Sequence, residues 1–153
     1  MRPTQPASDL TDHLGYWLRF VSNNVSQAFA RKVEARGVTV AEWVLMRQLL
    51  EDEALAPSRL AERMGMTRGA ISKLADRLIA KSMLARAADP EDGRGQRLSL
   101  TTTGCALVPE LAALADANDA EFFDHLAPKD RAALFRILRE IVEKRCLKSL
   151  PVD

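Results

Sequence analysis

The stretch from Pro57 to Gly104 narrows the folding options of this chain more than any other. It opens P-S-R-L-A-E-R-M-G-M-T-R-G-A-I-S-K-L-A-D-R-L. Pro57 suits a first helical position, where its missing N–H is not needed, and Gly65 suits the left-handed residue that follows a helix end. Thr67 can cap a second helix through its hydroxyl. Ile71, Leu74 and Leu78 recur at spacings of three and four, which predicts a helix from about Arg68 to about Lys81 with those three residues facing inward. Its outer face then carries Arg68, Gly69, Ser72, Lys73, Asp76 and Arg77. The small side chain of Ala61 permits a close crossing of the two helices, so the pair reads as a helix-turn-helix.

A hairpin follows. Leu84 and Arg86 on one side, and Leu98 and Leu100 on the other, are short alternating runs around A-D-P-E-D-G-R-G-Q-R, a segment rich in turn formers. Arg94 sits between Gly93 and Gly95, so no bulky neighbour hinders its guanidinium. Asp92 is expected to hold that arginine in place, and Arg97 to meet phosphates. Together these features imply contact with duplex DNA. Arg68 and Lys73 can donate to guanine O6 and N7, Ser72 can reach a base or a phosphate, and Gly69 lets the backbone approach. Arg77 suits a phosphate, and Arg94 suits a narrow minor groove where negative potential is focused. The expected DNA-binding set is Thr67, Arg68, Gly69, Ser72, Lys73, Arg77, Asp92, Arg94 and Arg97, with Asp76 orienting a nearby arginine. Charge distribution agrees. Residues 57–104 hold nine Lys or Arg against five Asp or Glu, whereas the whole chain sums to only +1.

On either side of this stretch lie amphipathic helices. From Ser8, a reasonable cap, apolar residues recur from Leu10 to Val33 at helical spacing, predicting one helix of roughly 28 residues ending at Gly37. Thr39-Val-Ala-Glu42 has the form of a capping box and opens a helix bearing Trp43, Val44, Met46, Leu49 and Leu50. Thr101 can cap a long helix with Leu107, Leu111, Leu114 and Phe122, in which Pro109 requires a bend or a late start. Pro128 opens a last helix, with Ala132, Leu134, Phe135, Leu138, Ile141 and Val142 expected to face inward; Ala127 lacks a capping oxygen, so its first turn is expected to fray. Met1 to Ala7 reads as a loose arm and Leu147 to Asp153 as a short tail.

Pro57 to Gly104 resembles the DNA-binding lobe of the MarR family of bacterial transcriptional regulators, whose wing reads D-P-x-D-x-R and then L-x-L-T-x-x-G. Here those positions are Asp89, Pro90, Asp92, Arg94, Leu98, Leu100, Thr101 and Gly104, with Gly93 where many members carry a second arginine. The helix order extends the likeness to nearly the whole chain. The resemblance implies a mainly α fold with a small β-hairpin wing, a winged helix-turn-helix framed by N- and C-terminal dimerisation helices. The whole chain, 1–153, is then a single MarR-like domain: helices in 8–36 and 105–147 pair two copies, and 39–104 form the winged-helix lobe. A homodimer of this kind reads a palindromic operator on double-stranded DNA. A small aromatic or anionic effector, in a crevice between the dimer helices and the lobe, would have His13, Trp17, Phe20, Trp43 and Met46 as candidate lining, although such residues at helical spacing are more often core.

Other functions are poorly supported by the residues. His13 and His125 belong to no metal-ligand spacing, and there is no phosphate loop or nucleophile motif, so neither an enzyme nor a bound cofactor or metal is expected. Cys105 and Cys146 suggest no disulfide framework and fit a reduced cytoplasm, and no run approaches the ~20 apolar residues of a membrane span. Two alternatives remain: a winged-helix protein-interaction module without DNA binding, and a cysteine-based redox-sensing regulator built on Cys105 or Cys146.

Overall fold

The computed structural model describes residues 6–153; most of the expected N-terminal arm, residues 1–5, lies outside the described residues. Six helices and one hairpin follow in the order α1 (Leu14–Glu34), α2 (Val40–Leu49), α3 (Pro57–Met64), α4 (Arg68–Ala80), β1 (Leu84–Ala88), β2 (Gln96–Leu100), α5 (Thr102–Phe123) and α6 (Pro128–Lys144). The fold is the expected one, mainly α with a two-stranded antiparallel wing.

The first helix is shorter than its pattern predicts. Asp9 and Asp12 form a capping box around a single 3-10 turn at Leu10–Asp12, and His13 is extended at φ −103° and ψ 125°. The periodic run is therefore broken, α1 has 21 residues, and His13 rather than Ser8 occupies the position before it. At α2 the capping box is half formed. The Glu42 amide donates to the Thr39 hydroxyl oxygen at 3.2 Å, but the Glu42 carboxylate turns to Lys81 instead, at 2.7 and 3.0 Å. Glu42 is buried, and its partner stands at the C-terminal end of α4. The pair therefore joins the start of α2 to the end of α4 with charges that complement both helix dipoles.

Apolar side chains of α2, α3, α4, both strands and α5 form one core. Leu45, Met46, Leu49, Leu60, Met64, Ile71, Leu78, Leu98 and Leu111 are fully buried in it. The strands pair in the register Leu84↔Leu100 to Ala88↔Gln96. Leu55 extends this small sheet, exchanging backbone hydrogen bonds with Leu98 at 2.8 and 2.9 Å. Pro109 does not delay α5, which starts at Thr102 and runs through it. The carbonyl that loses its partner belongs to Cys105, on the exposed side, where water can satisfy it.

The terminal helices behave differently. Despite its apolar stripe, α6 buries no residue within its own chain. Leu134, Leu138 and Ile141 are 37, 39 and 47% exposed, so the inward face expected of this helix is largely left uncovered by its own chain. Leu14, Trp17, Leu18 and Phe20 on α1 are exposed as well. Ala127 supplies no side-chain cap, yet its carbonyl accepts from Asp130 and Arg131 at 2.9 and 3.0 Å, and the helix still starts at Pro128.

A compact junction ties the wing to α5. Ser82 adopts a left-handed φ of 60°, and its carbonyl accepts the Thr101 hydroxyl at 2.7 Å. The Thr101 amide donates to the Met83 carbonyl at 3.1 Å, and the Thr101 hydroxyl oxygen caps α5 through the amide of Gly104. Gly104 is itself pressed against this turn, for a Cβ there would lie 2.2 Å from the Met83 carbonyl oxygen. That contact is backbone and cannot rotate away. Replacing Gly104 with Ala should lower stability by about 1–3 kcal/mol, the usual cost of overpacking. Chemical denaturation checks this, and an unchanged midpoint would show that the junction yields freely.

Candidate nucleic-acid interface

Helix α4 is anchored as its spacing predicts. Ile71, Leu74, Ala75 and Leu78 are buried, and the 3.6-residue period then turns Arg68, Gly69, Ser72, Lys73, Asp76 and Arg77 to solvent. The N-terminal turn is set by Gly65, left-handed at φ 63°, and by Thr67, whose hydroxyl oxygen accepts from the Ala70 amide at 3.1 Å. This leaves the start of α4 projecting, with Gly69 open to close approach because no atom lies within 4 Å of a Cβ placed there.

At the wing tip, Asp89 and Asp92 organise the loop. The Asp89 carboxylate accepts from the Glu91 amide at 2.9 Å, and that of Asp92 from the Arg94 amide at 3.1 Å. Asp92 thus holds Arg94 by its backbone, with no ion pair to the guanidinium among the described residues. Arg97 turns to the loop, with Nε 3.2 Å from Asp89 and a terminal nitrogen 3.7 Å from Glu91. Asp76 meets Arg86 at 3.0 Å, linking α4 to β1, in keeping with the orienting role expected of it.

The pairing pattern separates two kinds of cation. Residues 39–104 hold ten Lys or Arg. Arg47, Arg59, Arg63, Lys81, Arg86 and Arg97 each lie within ion-pair distance of a carboxylate. Arg68, Lys73, Arg77 and Arg94 have no such partner among the described residues, and all four are exposed. Arg59 and Arg63, which could have reached phosphates, are engaged by Glu62 and Asp52. The unpaired set is drawn from the outer face of α4 and the wing tip.

Of the five candidate effector residues, His13 precedes α1, Trp17 and Phe20 lie on α1, and Trp43 and Met46 lie on α2. Met46 is fully buried in the core and Trp43 is packed against it. Trp17 and Phe20 flank Tyr16 on α1, with ring centroids 5.3 and 6.1 Å from it. His13 is exposed, its Nε2 3.3 Å from the Ser8 hydroxyl. A cleft of about 160 Å³ between α5 and α6 is lined by Phe123, Leu126, Leu134, Phe135 and Leu138 with Asp119 and Arg131, none of them from that set. Cys105 and Cys146 are both exposed free thiols. Among the described residues, no group of three His, Cys, Asp or Glu is placed to hold a metal ion, and no helix is long and apolar enough to cross a membrane.

Two residues that matter here were not singled out from sequence as partners. Glu42 and Lys81 are 39 positions apart, and no local pattern couples them. Arg86 was read only as a strand residue, although a basic group opposite a helix acid is a usable signal.

A projecting helix after a tight turn, followed by an arginine-tipped hairpin, defines a winged helix-turn-helix protein. Residues 36–95 match the model of the MarR family. The chain is 26% identical over 137 residues to the HTH-type transcriptional repressor MdtR of Bacillus subtilis, covering 90% of this chain and 88% of that protein. In fold it is similar to a mutant MarR from E. coli complexed with operator DNA, with a TM-score of 0.77 and 23% identity over 88% of this chain and 99% of that one. It is also similar in fold to BpsR of Bordetella bronchiseptica, whose DNA binding is regulated by 6-hydroxynicotinic acid, with a TM-score of 0.77 and 24% identity over 88% and 96% of the two chains. Its likenesses in sequence and in fold are thus to transcriptional regulators of the MarR family.

The Asp89 carboxyl is held below its ordinary range, chiefly by the Glu91 amide and further by Arg97, which together outweigh an opposing effect of burial. A carboxylate depressed in this way stabilises the folded loop above its unfolded pKa of about 3.9, and that support is lost as pH falls through the lower folded value. The wing should therefore keep its form across neutral and mildly acidic pH. Asp89→Asn should speed amide exchange at Glu91 and Gly95 at pH 7, a change the wild type shows only on acidification below that range; equal exchange in both proteins at pH 7 would remove Asp89 from the account.

Proposed function

We infer that this protein is a dimeric, sequence-specific DNA-binding transcriptional repressor that responds to a small ligand. One observation carries the reading: the four cations of the winged-helix lobe left without carboxylates are those of the α4 outer face and the wing tip, while the other six are paired. An unpaired, exposed cation is ready to displace counterions from a phosphate backbone without first breaking an ion pair. Arg68, Ser72 and Lys73, with Gly69 beside them, are assigned to the major groove, Thr67 to capping the helix that enters it, and Arg77 to a phosphate. Arg94 is assigned to the minor groove. Asp92 and Arg97 shape the loop that presents it, a supporting role for Arg97 that its two carboxylate neighbours favour over a phosphate contact.

The exposed apolar faces of α1 and α6 support a second copy as the covering surface. A twofold dimer sets two reading helices about 34 Å apart, one turn of the duplex, so the operator is an imperfect palindrome. The likeness to MdtR supports repression as the outcome of binding. A small aromatic carboxylate such as the one that acts on BpsR fits the expected class, and the Tyr16, Trp17 and Phe20 rings with His13 supply stacking surface and a ring nitrogen for hydrogen bonding at the start of α1. Such a ligand would act by favouring a dimer whose reading lobes are wrongly spaced.

Duplexes selected from genomic DNA, titrated by fluorescence anisotropy at several salt concentrations, provide the test. The purified protein should run as a dimer, bind a palindromic duplex, and lose affinity steeply as salt rises. Arg77→Ala should reduce the salt slope by about one across all sequences, whereas Arg94→Ala should weaken binding chiefly at A·T-rich flanks. A monomer that ignores duplexes in dilute buffer would replace this reading with that of a protein-interaction module.

A further inference from the structure

The last residues of the chain do not trail away as a simple tail. Helix α6 ends in a Schellman turn: the amides of Cys146 and Leu147 donate to the carbonyls of Glu143 and Val142 at 3.1 and 3.0 Å, with Cys146 left-handed at φ 52°. That reversal carries the chain to the elbow between α3 and α4. There the Leu150 amide donates to the carbonyl of Met64 at 3.1 Å, satisfying one of the acceptors a helix end leaves open. The Ser149 hydroxyl donates to the Gly65 carbonyl at 3.3 Å. Leu150 and Val152 pack, partly buried, against the core of the reading lobe.

Gly65 is shaped by this contact as much as by the turn. A Cβ on it would lie 2.7 Å from the Ser149 Cα and 2.9 Å from the Lys148 carbonyl oxygen, all backbone atoms with no freedom to rotate aside. The residue thus meets two demands at once, a left-handed φ and a bare surface on which the chain end can sit.

We propose that residues 148–152 form a strap that sets the position of the recognition helix relative to α6, with Ser149 and Leu150 as its positioning residues. The proposal rests on the DNA-binding reading above. No residue of α6 is fully buried within its own chain, and the strap leads directly from its end to the elbow, which lies two residues before the Thr67 cap. Swinging the reading lobe away from α6 breaks both hydrogen bonds and exposes Leu150 and Val152. Intact, the strap narrows the range of distances between the two reading helices of a dimer, and so the half-site spacings that the dimer accepts.

The test is a double-mutant cycle between Gly65→Asn and a chain ending at Leu147. Asn tolerates the left-handed turn, but its Cβ collides with the strap. In the full chain Gly65→Asn should lower operator affinity on the order of tenfold, as should the truncation, and in the shortened chain Gly65→Asn should add little. Both should flatten discrimination between an operator of natural half-site spacing and one lengthened or shortened between its halves. A variant that is merely less stable loses affinity for both operators equally, so spacing discrimination is the deciding readout. Equal cost of Gly65→Asn in the two backgrounds, or unaltered discrimination, overturns the proposal. In the intact chain, free of any substitution, the Leu150 amide should exchange slowly, like that of Met66; exchange at the rate of an unstructured chain also overturns it. Failure of the wild type to bind any operator counts instead against the DNA-binding reading, and amide exchange still decides whether the strap is seated.

Discussion

Burial of Ile71, Leu74 and Leu78 is the constraint on which the reading surface depends. Each such side chain contributes roughly 1.5–3 kcal/mol when taken from water. With the three in the core, the helix has no freedom to roll about its axis, because rolling would expose two of them to admit anything else. The outward direction of Arg68, Ser72, Lys73 and Arg77 is therefore a consequence of apolar packing on the opposite side. Ion pairs then limit the remaining motions: Lys81 with buried Glu42 fixes the far end of α4, and Asp76 with Arg86 fixes the wing beside it. Glu42 is the costly member of this arrangement, since a buried carboxylate deprived of its cation is strongly destabilising.

The distribution of charge follows from the same economy. Carboxylates sit where they can neutralise the cations behind and beside the reading face, and Asp76, the one acid on the outer face of α4, is taken up by Arg86. Net charge alone, +1, conceals this. What sets Arg68, Lys73, Arg77 and Arg94 apart is that none of them is engaged by an internal acid among the described residues.

Much of this was legible in the sequence because the signals were local. Thr39, Thr67 and Thr101 each sit three residues before the amide they cap, and Ile71, Leu74 and Leu78 declare their common face by spacing alone. Long-range features were not legible. Glu42 fits a capping box and gives no hint of a lysine 39 positions on. The stripe on α6 announces an apolar face but not that its own chain leaves it uncovered. Membership of the same helices groups Trp43 and Met46 with His13, Trp17 and Phe20, but spacing does not show that Met46 is fully buried in the core. The first helix was overextended because apolar periodicity continues across His13, where two aspartates close a separate turn. The chain end, with Pro151 and no periodicity, carried no signal for docking at all.

The Thr101 junction has a mechanical consequence. Three hydrogen bonds centred on one residue rivet the base of α5 to the hairpin and to the corner that leaves the recognition helix. Recognition helix and arginine-tipped hairpin are therefore held together like a hand on the wrist of α5. On the proposed reading, a tilt of that wrist would carry both away from the duplex in a single movement.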